Sequence, residues 1–282
     1  MSTTPSPCHS RRSLRLKRYC IIMIAVIFII AAIIYGSNHW IRVSEISVDL
    51  KVPEAFKGYR MVQITDLHCK QFGHDQQGLL KKVRLLKPDC IMVTGDLLNN
   101  NGDSIASMLQ FTAKLFRIAP VYFVEGNHDY WNDDYEVFIK GLKQQGVIVL
   151  ENQSLPLVRG GETVRIAGVM DPFTHRDDLP KALQACSPEE TTILLSHSPV
   201  LFERAAAKGV DLTLAGHYHG GQIRIPLIGA IYAPGDGFFP RYDSGLYQKG
   251  ECYMYLSRGL GYTGIFHFRF LNRPELSLII LK

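Results

Sequence analysis

Five stretches of this 282-residue chain each end an apolar run in residues that bind cations or move protons. In order they are TDLH with Asp66 and His68, GDLL with Asp96, GNHD with Asn127, His128 and Asp129, LSHSP with His197, and GHYHGG with His217 and His219. Taken singly, a strand-end aspartate is usually a turn or helix-cap residue, and a lone histidine a satisfied surface or core group. Gathered at one sheet edge, such a set would repel itself or leave lone pairs unmet unless a cation held it. Mixed imidazole and carboxylate donors suit Mn, Fe, Zn or Co better than Mg or Ca. The seven candidate ligands Asp66, His68, Asp96, Asn127, His197, His217 and His219 exceed the four of one tetrahedral site. Two divalent transition-metal ions per chain are therefore expected, Mn favoured, with one carboxylate bridging. In extended backbone, Asp-x-His and His-x-His would turn both side chains to one face, and Gly220 and Gly221 let the chain turn close to the ions.

The elements that must position these groups show in the apolar spacing. VSEISVDLKVP alternates as a half-buried strand, whereas YRMVQITDLH, PDCIMVTGDLL and APVYFVEGNHDYW are short apolar runs that stop at the polar clusters. Helical periodicity lies between them, over 78–86, 105–117 and 134–145. Strand and helix in alternation predict an α/β fold whose functional groups gather at the C-terminal strand ends. VIVLEN, LPLVRGGETVRIAGVMD, TTILLSHSP and DLTLAGHYHGG read as further strands, with helices over 179–185 and 200–208. From Gln222 the chain is mostly strand in QIRIP, CYMYLSRGLG, GIFHFRF and LSLIILK. Such a tail predicts a second sheet packed on the first, with helices outside.

Length and the lack of a linker after residue 50 predict one large domain, 41–282. Arg11, Arg12, Arg15, Lys17 and Arg18 account for the whole net charge of +5; the remaining 26 basic residues balance 26 acidic ones. A neutral folded part lacks the electrostatic footprint of a nucleic-acid binder, so none is expected as a partner. The basic cluster, a tail over 1–18, precedes the uncharged run CIIMIAVIFIIAAIIY, whose sixteen residues span about 24 Å as a helix. With Tyr19, Tyr35 and Trp40 as interface anchors, this predicts one transmembrane signal anchor over 19–37, a cytoplasmic N-terminus and an extracytoplasmic domain. SRRSLR resembles a twin-arginine export signal in which Arg15 replaces an apolar residue, and no small-x-small cleavage site follows the run. Cys69, Cys90, Cys186 and Cys252 are widely spaced, without C-x-x-C, and read as core fillers.

D-x-H, GD, GNHD, a separate His and GH-x-H, in this order, resemble the calcineurin-like metallophosphoesterase superfamily over about residues 59 to 222. GHYHGGQIRIPLIG and the tail SRGLG…FRFLNRPEL further resemble its membrane-anchored bacterial phosphodiesterases of the YaeI and YkuE kind. The resemblance implies a layered αββα sandwich behind one N-terminal transmembrane helix. It implies that Asp66, His68 and His219 hold one metal, Asn127, His197 and His217 the other, and that Asp96 bridges them. It gives His128 the catalytic role near the leaving oxygen, expected as imidazolium. No family ligand is missing, as some would be in an inactive scaffold of this fold. Tyr218 stands where Thr is common, and its outward direction would touch only the rim.

The expected reaction is in-line hydrolysis of a phosphodiester or pyrophosphate bond by metal-activated water, on a lipid-linked or nucleotide substrate. The alternative is a UDP-2,3-diacylglucosamine pyrophosphatase, and the rival of another class is a non-catalytic metal-binding envelope protein. Asp129 reads either as orienting His128 or as a helix N-cap. Arg224, Arg258, Lys70, His74 and Trp131 lie beside ligand motifs and are candidates to contact substrate, without assignment. Residues 235–247, GDGFFPRYDSGLY, read as a loop over the site, a membrane-contacting lip, or packing between sheets.

Overall fold

Period-two alternation in the apolar runs gives the central strands two different buried faces. The computed structural model of the chain describes residues 7–100, 105–234, 236–262 and 268–282. A long helix α1 (Pro7–His39) precedes β1 (Arg42–Val48) and β2 (Arg60–Ile64). Then come α2 (Gln77–Leu85), β3 (Cys90–Thr94), α3 (Ile105–Phe116), β4 (Val121–Val124), α4 (Asn127–Tyr130), α5 (Tyr135–Gln144) and β5 (Ile148–Val149). The second half runs β6 (Gln153–Arg159), β7 (Glu162–Gly168), α6 (Leu179–Ala182), β8 (Thr192–Leu195), α7 (Phe202–Ala206) and β9 (Leu212–Ala215). Two short ribbons follow, β10 (Arg224–Ile225) with β11 (Gly229–Ala230) and β12 (Tyr232–Ala233) with β13 (Gly237–Phe238). The chain ends with β14 (Gly245–Lys249), β15 (Cys252–Leu256) and β16 (Glu275–Leu281).

Two six-stranded sheets form, in the orders β1-β16-β2-β3-β4-β5 and β14-β15-β9-β8-β7-β6. Met61, Met92, Tyr122 and Val124 face Val164, Ile166, Ile193, Leu195, Leu212 and Leu214 across the gap between the sheets. Their neighbours Val62, Val93 and Phe123 point the other way, onto Leu79, Phe111, Leu115, Phe138 and Leu142 of α2, α3 and α5. Each helix presents its apolar residues at three- and four-residue spacing, such as Tyr135, Phe138, Ile139 and Leu142 on α5. A third cluster seats Leu179, Ala182 and Ala205 of α6 and α7 on Ala167 and Leu194, completing the αββα layering. Burial of each large side chain here contributes about 1.5–3 kcal/mol.

Strands β2 to β5 run parallel, as do β7, β8, β9 and β15, so their C-terminal ends share an edge within each sheet. The β-rich tail divides rather than forming the second sheet alone. β14 and β15 join that sheet, but β16 inserts into the first, antiparallel to β2 and parallel to β1. LSLIIL is apolar on both faces and stands in a sheet interior, a requirement that either sheet could meet. The strand expected over GIFHFRF lies partly outside the described residues; Phe270 makes only an isolated bridge to Ile223.

Helix α1 contains a 26-residue stretch, Leu14–His39, whose most apolar 18 residues have a mean hydropathy of 2.8, long and apolar enough to cross a membrane. Its apolar side chains from Ile21 to Ile30 are exposed, and only Gly36, Ser37 and Asn38 in the last turn are buried. Arg42 pairs with Glu275, and Ser277 with Gln63, so β1 begins beside the C-terminal end of β2. The helix therefore meets the domain on the edge where the polar clusters lie. Among the described cysteines none is disulfide-bonded, and Cys90 is buried in the core as expected.

Candidate metal centre

Where the strands stop, the backbone bends into the left-handed region at residues other than glycine. Asp66, His68, Asp96, His217 and His219 have φ of 51°, 48°, 54°, 72° and 51°. Each such residue costs on the order of 1 kcal/mol, a strain that tight surroundings sustain. The same-face expectation for Asp-x-His and His-x-His is thus corrected: these loops, not the pleat of a strand, aim the side chains. The strand ends are stitched together by Gln63, whose amide donates to Thr94 Oγ1 and the Ala215 carbonyl, both at 2.9 Å. Glycines make room for the two carboxylates. A Cβ on Gly216 would stand 2.5 Å from Asp66 Oδ2, and one on Gly126 2.1 Å from Asp96 Oδ1.

Two ligand sets result. Donor atoms of Asp66, His68 and His219 lie within 4.8 Å of one another, as do those of Asp96, His197 and His217, and all six residues are buried. His217 and His219, one residue apart, thus serve different sets. Asp96 Oδ2 stands 3.5 Å from His68 Nε2 and 3.2 Å from His197 Nε2, so it touches both. Among the described residues, buried His68 Nε2, Asn127 Oδ1, His217 Nε2 and His219 Nδ1 have no hydrogen-bond partner. Lone pairs buried without partners are costly, and this donor set fits divalent cations.

Neighbours preset the imidazoles. His197 Nδ1 lies 2.8 Å from the Thr94 carbonyl, which can only accept, so Nδ1 carries a proton and Nε2 is the nitrogen left to face the cluster. His68 Nδ1 sits 3.0 Å from Asn99 Oδ1, leaving Nε2 toward the cluster. Burial holds His68 down at about 4 and, with His197 adding to it, His217 at about 3. Burial, reinforced by His68, also keeps His219 well below its ordinary value. His197 goes the other way: burial opposes its charge, but Asp96, Asp66 and Asp171 outweigh it and hold it protonated. Asp66 is pushed up to about 6 by burial, against the pull of His197. Asp96 stays well below the carboxylate range because His197 and His68 outweigh its burial. A proton on His197 therefore supplies positive charge to a pocket arranged for cations.

His128 lies at the mouth, its ring 4.8 Å from that of His68 and 5.7 Å from that of Trp131, with its backbone N–H on Asp96 Oδ1 at 2.9 Å. Burial lowers its pKa from the ordinary imidazole value, against the pull of Asp96. Asp129 is no N-cap, since α4 begins before it and α5 starts after Asp134. Its buried carboxylate accepts from the N–H groups of Asp96, Leu98 and Gly126 at 2.7, 2.9 and 3.0 Å, clamping two ligand loops together. Tyr218 is buried against Phe202, Met254 and Leu256, in the core rather than at the rim.

The candidate substrate residues separate. Trp131 is 45% exposed beside His128. Lys70 rests over Tyr262 at 4.8 Å, while His74 lies on the surface against Asp75. Arg224 is engaged by Asp243 at 2.9 Å and the Gly220 carbonyl at 3.0 Å, and Arg258 packs under Gly220. Excepting Gly235, which lies outside the described residues, the 235–247 segment exposes Phe238 and Phe239 and folds Tyr242 and Tyr247 inward.

Sequence reasoning missed several supports. Asp171, buried after β7, is pushed up to about 7 by burial and belongs to the electrostatics of His197. It follows an apolar run as the ligands do, which was the available signal. Phe173 stacks on His217 at 4.6 Å. The fully buried Arg269 donates to the carbonyls of Gly261, Arg258 and His219, and Asn272 donates to the same His219 carbonyl at 2.7 Å. Nothing local marks these two, because their partners lie far back in the chain.

A family model described as calcineurin-like phosphoesterase matches residues 59–221. The chain is 31% identical over 258 residues to the metallophosphoesterase YkuE of Bacillus subtilis (strain 168), covering 88% of each protein. It is 31% identical over 230 residues to the phosphodiesterase YaeI of Escherichia coli (strain K12), covering 79% of this chain and 82% of that one. A transmembrane protein with metallophosphoesterase domain from Bos taurus is 31% identical over 250 residues, 82% of this chain and 55% of the bovine one. Among solved structures, phosphopantetheinyl hydrolase from Mycobacterium tuberculosis is similar with a TM-score of 0.47 at 13% identity, over 77% of this chain and 96% of that one.

Proposed function

Because this chain belongs to the calcineurin-like phosphoesterase family, a family of phosphoester hydrolases with a dinuclear divalent metal site, we propose a membrane-anchored hydrolase of phosphodiester or pyrophosphate bonds. The substrate class is a lipid-linked or nucleotide phosphoester, the favoured metal is Mn, and the domain lies on the membrane face opposite the five basic residues between Arg11 and Arg18, in the N-terminal part of α1. Asp66, His68 and His219 hold one ion, Asn127, His197 and His217 the other, with Asp96 between them. The supporting observation is the pair of buried ligand sets, in which His68 Nε2, His217 Nε2 and His219 Nδ1 have no hydrogen-bond partner among the described residues. When bound, the ions supply Lewis acidity at the phosphoryl oxygens and activated water at neutral pH.

The side chains do the rest. Thr94 and Asn99 orient the rings of His197 and His68 through Nδ1, so both aim Nε2 at the cluster; His197 Nε2 gives up its proton when an ion binds. Asp129 fixes the Asp96 loop through three N–H groups. His128 is neutral until an anionic phosphoester arrives beside it; the ring then takes up a proton and delivers it to the leaving oxygen, a role worth about 10²–10⁴ in rate. Trp131 packs against His128 and Phe173 stacks on His217, one aromatic beside each ligand set.

The experiment is hydrolysis of bis(p-nitrophenyl) phosphate beside the monoester by the full chain in detergent with Mn, in the parent and in Asp96→Asn. Diester turnover lost in a folded Asp96→Asn protein supports the reading. Equal turnover in both sinks the role given to Asp96, and absence of turnover in metal-loaded parent protein favours a non-catalytic metal-binding protein.

A further inference from the structure

Three features converge on one segment behind the metal centre. Asn38, in the last turn of α1, brackets Arg269: its Nδ2 donates to the Arg269 carbonyl and its Oδ1 accepts the Arg269 N–H, both at 2.9 Å. The Arg269 guanidinium in turn donates to the carbonyl of His219 at 3.2 Å. The next residue, Phe270, exchanges backbone hydrogen bonds with Gln222 and Arg224, at the root of the β10–β11 ribbon. Helix, ligand loop and ribbon are thus fastened to the same two residues.

The spacing is short. Trp40 is 59% exposed, Ile41 is buried in the core and β1 starts at Arg42, so the domain begins one residue after an exposed aromatic. One residue reaches about 3.8 Å, which leaves no linker to hold the domain away from the end of the helix. Tyr35 and Trp40, with rings 6.3 Å apart, mark that end as interface aromatics do. On the same side, the ribbons that follow the His219 loop expose Ile225, Leu227, Ile228, Tyr232, Phe238 and Phe239, with Phe238 74% and Phe239 70% accessible. The ribbons are pinned to the site, since a Cβ on Gly221 would stand 2.3 Å from Ala230 Cβ. An apolar patch this dense, beside the exit of an apolar helix, has one nearby solvent that suits it.

We propose that these ribbons form a lip that dips into the surface of the bilayer holding α1, so that the mouth of the metal centre faces that membrane. The proposal rests on the membrane-anchored reading given above. It places the reacting phosphoester at the headgroup level of the same leaflet.

The test is tryptophan quenching in the full chain, reconstituted into vesicles of phosphatidylcholine and phosphatidylglycerol in which part of the former carries brominated acyl chains. Phe238→Trp and Leu227→Trp report on the lip. Val158→Trp is the control, because Val158 is 61% exposed at the opposite end of β6, paired with Thr163. Both lip tryptophans are expected to shift to the blue and lose roughly half of their added emission to bromolipid, as for a side chain about 5–10 Å into the interface. The control is expected to stay unquenched. Proteins that float with the vesicles while the lip tryptophans remain unquenched overturn the lip and leave the anchor standing. A blue shift without quenching overturns it in favour of cover by protein, and failure to float overturns the anchor itself. Retention of bound metal by each variant shows that it is folded.

Discussion

Replacing Gly126 with alanine isolates the room that the central carboxylate needs. The Gly126 backbone, at φ −104° and ψ 174°, is extended and accepts any residue, so the substitution carries no conformational strain. The added Cβ would stand 2.1 Å from Asp96 Oδ1 and 2.7 Å from Asp96 N, whereas ordinary contact begins at 3.4 Å. The shortfall at the carboxylate is about 1.3 Å and must be met by moving Asp96 or the GNHD loop. Metal ligands tolerate about 0.2 Å, and a misplacement of about 1 Å costs on the order of 10²-fold in rate. Overpacking costs about 1–3 kcal/mol in addition. Gly126→Ala is therefore expected to fold with a Tm lowered by several degrees, to lose part of its metal and to hydrolyse bis(p-nitrophenyl) phosphate about 100-fold more slowly. Metal content after desalting, thermal unfolding and initial rates are the assay. Gly209→Ala is the control, with φ +78° and open space around its Cβ. It costs about 1 kcal/mol of stability and leaves metal and rate unchanged. Two retained ions and a rate within about threefold in Gly126→Ala, under about 1 kcal/mol of barrier, would refute the reasoning.

His128→Ala is expected to keep both ions and lower kcat by about 10²–10⁴; loss of metal instead would make His128 a ligand. Metal binding should release protons, because His197 is held protonated and Asp66 is pushed up to about 6 in the metal-free chain. The sign follows: protonated ligands compete with the ions, so affinity rises with pH. Calorimetry in buffers of different ionisation enthalpy should find protons released at pH 6, and fewer at pH 8, where Asp66 is already ionised; none at pH 6 would contradict these charge states. Asn272→Ala removes one buried hydrogen bond to the His219 carbonyl, at a cost of about 1–2 kcal/mol. Arg269→Met removes three donated bonds and should lower the Tm further, a ranking that thermal melts of the two variants check.

Much of the site lay open in the chain because its ligands are local punctuation. Each of Asp66, Asp96, Asn127, His197 and His217 comes within three residues of the end of an apolar strand, and a parallel sheet brings such ends to one edge. The helices were equally legible, since α2, α3 and α5 lie on one face of a sheet and carry a single apolar stripe. The αββα layering followed from the apolar strands, whose two faces both need cover. The placement of β16 was not legible, because a strand buried on both faces has the same pattern in either sheet. Nor was the role of Tyr218, whose direction depends on a left-handed turn at His217 rather than on alternation.

The amino-acid sequence by itself determined the chemistry: which donors exist, in what order, behind which apolar helix. That much is set by residue type and by contacts within a few positions. Tertiary structure decided how the donors are aimed: left-handed turns carry His217 and His219, one residue apart, into the two different sets that the family resemblance implies. It also decided that Asp171 and Arg269 stand behind His197 and His219, and that α1 reaches the domain beside the ligand sets. Those facts depend on pairings such as Asn38 with Arg269, 231 positions apart, which only the closed fold brings within hydrogen-bonding distance.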